Sequence, residues 1–359
     1  MLETILQILR DLTAVDAISG DERPLVRHLA QRLSEANLEV SGDAAGNLFA
    51  VRRGAKPGPT VLIAAHMDEI GLMVKSIERD GFLRFEKIGG VIDAWLPARL
   101  VRVGGVTGVV GIKAGHYMSE QERSQVRRHT EMYIDIGCKS EAEVAALGIR
   151  VGDPVAFVSP LVQVGANPAL VAGKAVDNRV GCAVLLHLLL NGPAPAAGTL
   201  IGAFTVQEEV GLKGAAVAAA RWRPDLALAI DTMPTGDTPD MSFQKDLNVG
   251  IGRGPAVQVM SGAGGRGNLL HPVVREFLAA VATEEDLPLQ VCAFTGGTND
   301  SASMAWAAEG IAAGSITLPR RYSHSPVELM NLNDAVAAER LLAGVLARMD
   351  RLPPFTFLA

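Results

Sequence analysis

The chain has 359 residues, 48% of them hydrophobic, enough for one large α/β domain or two domains around a substantial core, and disorder is not the expectation. A formal charge of −6 and a pI near 5.7 exclude a general polyanion-binding surface, so neither nucleic acid nor an anionic membrane is an expected partner. Three widely separated cysteines, Cys138, Cys182 and Cys292, make neither a disulfide framework nor a thiolate metal site, and they read as reduced thiols of a cytoplasmic protein.

Residues 2–12 have helical apolar spacing and carry Glu3, Arg10 and Asp11, unlike a secretory signal. The longest apolar stretches are too short and too interrupted to span a bilayer. Ser19-Gly20-Asp21-Glu22 has the form of a capping box opening a second helix to about residue 36. Residues 40–51, broken by Gly42, Asp43, Gly46 and Asn47, read as a hairpin. Residues 60–65 read as a strand apolar on both faces, as in the middle of a sheet covered by helices.

Between about residues 71 and 159 the texture changes to short alternating runs, at 72–77, 82–88, 100–103 and 106–112, punctuated by Gly and Pro. That is the pattern of a small β-barrel or sandwich inserted into an α/β domain. The charged stretch 117–131 reads as a long surface excursion and a candidate oligomer contact. Alternation then resumes: a buried helix over 180–190, a strand over 199–206, a helix through 214–221 and a strand over 226–230. Strands near 256–260 and 290–294, a helix over 271–283, a strand over 311–317 and a helix over 333–349 complete the chain. The glycine-rich stretch 261–268 lacks the Gly-Lys-Ser/Thr of a phosphate cradle. The expected fold is α/β, a mixed central sheet flanked by helices with an inserted small β-barrel. Its expected division is residues 1–70 and 160–359 for the catalytic domain and 71–159 for the insert.

Chemistry gathers where the apolar strands end, the edge at which open α/β sheets place their ligands. His66-Met67-Asp68 follows the run 61–65, Glu208-Glu209 follows 200–206, Asp231 follows 226–230, and a loop with His324 follows 316–318. Asp177 stands at the start of the buried helix, where the macrodipole favours an anion. Adjacent carboxylates repel unless a cation lies between them or one takes a proton, so Glu208-Glu209 reads as a general base beside a metal ligand. Each residue alone also fits an ordinary use, as a core histidine, an N-cap, a turn acid or an exposed loop residue. Together, two histidines and three carboxylates without cysteine suit a pair of divalent ions such as Zn²⁺, Co²⁺ or Mn²⁺.

Six motifs carry a family resemblance: His66-Met67-Asp68-Glu69-Ile70-Gly71-Leu72, Val176-Asp177-Asn178-Arg179, Gln207-Glu208-Glu209-Val210-Gly211-Leu212, Ala229-Ile230-Asp231, Gly296-Gly297-Thr298 and His324-Ser325-Pro326-Val327-Glu328. In this order they resemble the tetrahedral aminopeptidases, a cytosolic family that includes glutamyl aminopeptidases and proteins labelled endoglucanase M or cellulase. The likeness extends to Ile134-Asp135-Ile136-Gly137 and Gly152-Asp153-Pro154-Val155 in the insert. It implies a zinc-exopeptidase-like catalytic domain with two divalent ions per subunit, Zn²⁺ before Co²⁺ or Mn²⁺. Asp177 would bridge them, His66 and Asp231 would complete one site, and Glu209 and His324 the other. Glu208 would be the general base that activates a bridging water, and Asp68 would orient His66. The insert would be a dimerisation domain whose dimers build a hollow dodecamer, a homo-oligomer admitting only short peptides.

The expected function is therefore a metal-dependent aminopeptidase removing N-terminal residues from short peptides. A di-metal deacylase of N-acylated amino acids and a catalytically inert shell-forming or regulatory homologue are the alternatives. With only 4% aromatic residues, the aromatic-lined cleft of a glycosidase is disfavoured. Two departures from the family bear on substrate recognition. Where many members read Gly-Gly-Thr-Asp-Ala, this chain reads Gly296-Gly297-Thr298-Asn299-Asp300-Ser301, and the stretch 261–268 is unusually rich in glycine. Arg253, Arg266, Arg320 and Arg321 are candidates for binding an acidic N-terminal side chain.

Overall fold

The computed structural model describes residues 1–358, arranged around an 11-stranded mixed sheet. Its centre consists of the strands Thr199–Thr205, Thr60–His66, Leu226–Pro234 and Ala313–Arg321, side by side and parallel, so their carboxyl ends share one edge. The hairpin Glu39–Gly42 and Leu48–Arg53 extends the sheet antiparallel on one side; Glu328–Asn331, Leu170–Gly173 and Val162–Gln163 extend it on the other.

The central strands are buried along almost their whole length because both faces are covered. One face takes the helix Val176–Asn191, whose Val180, Val184, Leu185 and Leu188 are fully buried and which packs between Leu2–Thr13, Leu332–Leu346 and the sheet. A helix apolar all round can be stable only inside such a sandwich. The other face takes Lys213–Trp222, whose Ala215, Ala218 and Ala219 allow a close approach to the strands. The expected mixed sheet flanked by helices is thus present. No helix among the described residues is long and apolar enough to cross a membrane.

Six strands, Gly71–Ile77, Leu83–Ile88, Ile134–Asp135, Val106–Val110, Leu100–Val103 and Pro154–Phe157, close into an antiparallel barrel. Their inward residues, among them Leu72, Val74, Phe85, Val101 and Ile134, form a core separate from that under the sheet. The charged stretch 117–131 is not a plain loop. It contains the short helix Glu120–Ser124, capped by Ser119 and Glu122, and two single turns.

Three local expectations are corrected. Ser19 and Glu22 do not form a capping box: the helix Arg23–Glu35 has no side-chain cap, and the Ser19 hydroxyl donates to Asp68 instead. Asp231 does not follow its strand but lies within it, since pairing with Ala313–Arg321 carries the strand to Pro234. Asp177 does not sit on regular helix, because Asp177 and Asn178 depart from helical dihedrals and their peptide bond is cis.

A buried ionic cluster joins these parts. Arg179, fully buried, donates to the carbonyls of Leu12 (2.6 Å), Val15 (2.8 Å) and Met67 (2.8 Å) and to Glu69 (2.9 Å), and Lys174 reaches both Glu69 (2.9 Å) and Asp16 (2.8 Å). Asp16 in turn accepts from Arg102 of the barrel at 2.8 Å. Without Arg179 the carbonyls of Leu12, Val15 and Met67 lose their buried donor and Glu69 keeps Lys174 alone. Arg179→Met is therefore expected to destabilise the fold by about 3–5 kcal/mol, read as a lower urea midpoint in chelated protein, and an unchanged midpoint would contradict it.

Candidate active site

Register places the site residues. Thr205 pairs with His66 across the parallel ladder, so Gln207-Glu208-Glu209 leaves its strand directly beside His66-Met67-Asp68. The turn needs Gln207 at φ 55° and Leu212 at φ 57°, conformations that cost about 1–3 kcal/mol each for residues other than glycine. Tertiary hydrogen bonds hold the turn's first residues, and the Leu212 N–H donates locally to the Glu208 carbonyl at 2.9 Å. The Gln207 N–H donates to Glu22 (3.1 Å), and the Glu208 and Glu209 N–H groups donate to the two oxygens of Asp68 (3.0 and 3.1 Å). Asp68 also accepts the Ser19 hydroxyl at 2.6 Å. Burial pushes its carboxyl upward, but His66 and these donors hold it below its ordinary value. His66 Nδ1 is 3.1 Å from the Asp68 carbonyl and 3.5 Å from its Oδ1.

On the opposite rim Glu328 ties two segments together, accepting the Asp177 N–H (2.8 Å) with one oxygen and the His324 N–H (3.0 Å) with the other. Arg320 pairs with Asp177, lies 2.9 Å from Glu328, and donates to Thr232 at 2.5 Å. The Asn178 amide reaches the Ile230 carbonyl (2.8 Å), fixing the Asp177 segment to the strand that carries Asp231.

The ring atom Nε2 of His66 stands 3.4 Å from Asp177 Oδ1, 3.4 Å from Asp231 Oδ1 and 3.9 Å from Glu208 Oε2. His324 Nε2 stands 3.5 Å from Asp177 Oδ2 and 3.5 Å from Glu209 Oε2. His66, Asp177 and Asp231 form one cluster of donor atoms and Asp177, Glu209 and His324 another, so the two share Asp177. Glu208 is in neither of these two, but its carboxylate lies with His66 and Glu209 in a third such cluster. All six residues line one cavity of about 600 Å³; Asp68 stands behind it.

Charge balance tests whether metal ions fit. Asp177 Oδ1 is buried without a hydrogen-bond partner, a costly state for a carboxylate oxygen that a cation would relieve. Burial, with the Asp177 charge adding to it, pushes Glu209 up to about 8, and burial together with Asp231, Glu209 and Asp300 pushes Glu208 well above the usual carboxylate range. Asp177 goes the other way: burial opposes ionisation, but Arg320, His324 and His66 hold it well below its ordinary value. Burial opposes charging His324 as well, yet Asp177 and Glu209 lift it to about 9. These shifts favour bound protons where a divalent cation would otherwise offset the carboxylate charge, and the oxygen and imidazole donors present suit such an ion.

Sequence reasoning missed four residues at the site. Arg320 had been assigned only to substrate recognition, and Glu328 appeared in a motif without a role. Ser19 was misread as a cap. Asp300, the displaced acid, is buried, accepts the Thr205 hydroxyl at 2.6 Å, and is raised to about 7 by burial and the charges of Asp231 and Asp68. A polar residue directly after an apolar run, as Arg320 is after Leu318-Pro319, was the signal available for one of them.

Comparison with known proteins identifies the family. The family described as M42 glutamyl aminopeptidase matches residues 46–341. The chain belongs to the M42 family. Among relatives, the glutamyl aminopeptidase of Lactococcus lactis subsp. cremoris is 30% identical over 363 residues, covering 94% of this chain and 95% of that protein. The structure of an aminopeptidase from the archaeon Desulfurococcus kamchatkensis superposes with a TM-score of 0.91 at 37% identity, covering 97% of this chain and 95% of that one. The TET1 peptidase of Pyrococcus horikoshii, described as assembling into a tetrahedron or a large octahedral shell, gives 0.83 at 28% identity, with 95% and 99% covered.

A pH dependence follows for this M42 site. A metal ion held by His324 and Glu209 would have to displace their protons, since their values of about 9 and 8 lie above neutrality. Affinity for Zn²⁺ or Co²⁺ should therefore rise with pH from 6 towards 9 and then level off, with proton release visible by calorimetry in buffers of different ionisation enthalpy. Binding independent of pH over this window would contradict it.

Proposed function

We propose that this M42 protein is a metal-dependent aminopeptidase acting on short peptides. The observation that carries the reading is the pair of donor clusters sharing Asp177, with Glu208 beside them in the same cavity, grouped only with His66 and Glu209. His66, Asp177 and Asp231 would hold one divalent ion, and Asp177, Glu209 and His324 the other, with Zn²⁺, Co²⁺ and Mn²⁺ all suited to the donors. When bound, such ions polarise the scissile carbonyl, make water more acidic and neutralise the carboxylates around them.

The protein's own groups would do the rest. Glu208, which is in neither of the two clusters that share Asp177, takes a proton from the attacking water and returns it to the departing amine, a task matched by a carboxyl whose affinity for protons is raised. Asp68 aims Glu208 and Glu209 through their backbone N–H groups and steadies His66. Arg320 and Glu328 set the rotamer of Asp177 and the backbone at His324.

The barrel, which we read as the insert 71–159 of a catalytic domain formed by 1–70 and 160–359, is proposed to carry dimer contacts. Val109, Ile112, Tyr117 and Val126 expose apolar surface there, and the assembly of the Pyrococcus relative supports a larger homo-oligomer. The three free thiols accord with a cytoplasmic location.

Free-amine and N-acetylated dipeptides, assayed with and without a chelator and after restoring zinc, cobalt or manganese, test the reading. Metal-dependent release of the first residue from free-amine substrates alone is expected. Cleavage of only the acetylated set would make the protein a deacylase, and turnover unaffected by exhaustive chelation would remove the metal from the account.

A further inference from the structure

Beyond the reacting groups, the cavity is electrically neutral. Among the described residues, its only lining lysine or arginine is Arg320, which is buried, paired with Asp177 and Glu328, and hydrogen-bonded to Thr232; its Nη1 makes no hydrogen bond but is buried 2.9 Å from Glu328. The other arginines singled out in the sequence are placed elsewhere. Arg321 is held by Asp237 at 2.9 Å, Arg253 lies over the Phe243 ring at 4.6 Å, and Arg266 is exposed outside the cavity. Every acidic lining residue, Asp177, Glu208, Glu209 and Asp231, belongs to the reacting cluster. An acidic substrate side chain would find no free cation, and a basic one no free carboxylate.

What remains of the lining includes apolar surface, backed by the stretch 261–268 and the Gly296-Gly297 pair. Phe294, Ile92, Leu212 and Pro234 supply its apolar surface. Gly296 and Gly297 lie against the Phe294 ring, so close that a methyl group added at either would come within 2.9 or 3.3 Å of it, and this fixes the ring without filling the cavity. The glycine-rich stretch buttresses the glycine pair from behind. The Gly262 N–H donates to the Gly297 carbonyl at 2.7 Å, the hydroxyls of Ser261 and Thr298 are 3.0 Å apart, and any side chain at Gly267 would strike Thr298. Asn299 turns away to Gln258 (3.1 Å), and Asp300 is committed to Thr205, so the shifted acid does not line the cavity.

We infer that the substrates of this site are peptides with a neutral, apolar N-terminal residue such as leucine, methionine or phenylalanine, and that glutamyl and lysyl peptides are poor substrates. The inference rests on the aminopeptidase reading, and it separates this chain from the glutamyl specificity in the family's description. Specificity here comes from leaving a charge unpaired in the pocket rather than from added contacts.

The test compares kcat/KM for Leu-, Met-, Phe-, Glu- and Lys-p-nitroanilides on the metal-loaded protein, with calorimetric binding of free leucine and free glutamate. The apolar substrates should exceed the charged ones by at least about tenfold, and leucine should bind more tightly than glutamate. Ile92→Lys, at a half-exposed position on the rim, adds a free cation and should raise the Glu/Leu ratio at least about tenfold. Glutamyl or lysyl substrates cleaved as well as leucyl ones, or a ratio unmoved by Ile92→Lys, would overturn the inference while leaving the aminopeptidase reading intact. No turnover of any free-amine substrate would instead sink that reading; tighter binding of leucine would still uphold the pocket's preference, and tighter binding of glutamate would end it.

Discussion

Four carboxylates in one largely buried cavity cannot all be ionised together without compensation, and much of the structure answers that constraint. Arg320 pairs with Asp177 and favours its ionised form, while burial and the neighbouring charges raise the proton affinity of Glu208 and Glu209. The histidines stand between acids and are drawn towards their charged forms. Such an arrangement is costly for a protein that needs only a stable core. It suits one that binds cations there, because a cation's charge offsets the repulsion and its ligands exchange protons for donor–metal contacts.

The same constraint explains the scaffolding. Carboxylates that repel one another must be held in place by the backbone rather than by mutual contact, and here they are. Asp68 grips consecutive N–H groups of Glu208 and Glu209; Glu328 grips those of Asp177 and His324. Beneath them the parallel strands supply a rigid edge, and the Arg179–Glu69–Lys174 cluster ties that edge to the first helix and, through Asp16 and Arg102, to the barrel. A shift of the barrel would therefore be felt at the strand end that carries His66.

Much of this could be read from the sequence, and the parts that could not share a cause. Strands apolar on both faces announce a covered central sheet, and an acid or histidine at the end of such a strand is conspicuous because nothing apolar explains it. That made His66, Glu208, Glu209 and Asp231 legible. Ser19 was misassigned because a serine followed three residues later by a glutamate satisfies a local rule, whereas its partner Asp68 is 49 residues away. Asp231 was placed outside its strand because strand length is set by pairing with Ala313–Arg321, which no local pattern reveals. The neutralisation of Arg320 and Arg321 was likewise invisible, since a charge shows in sequence and its partner in space does not.

The central claim is that Glu208 moves the proton while its neighbours hold metal, and Glu208→Gln tests it most directly. The substitution keeps the side chain's size and removes its capacity to accept a proton. With metal content determined by elemental analysis and turnover measured on the same preparation, the account expects near-normal metal content and kcat reduced by about 10²–10⁴-fold, the usual contribution of a general base. A variant that keeps its metals and its turnover would contradict the assignment of Glu208. One that loses its metals would show instead that Glu208 is a ligand, and the separation between base and metal cluster drawn here would be wrong.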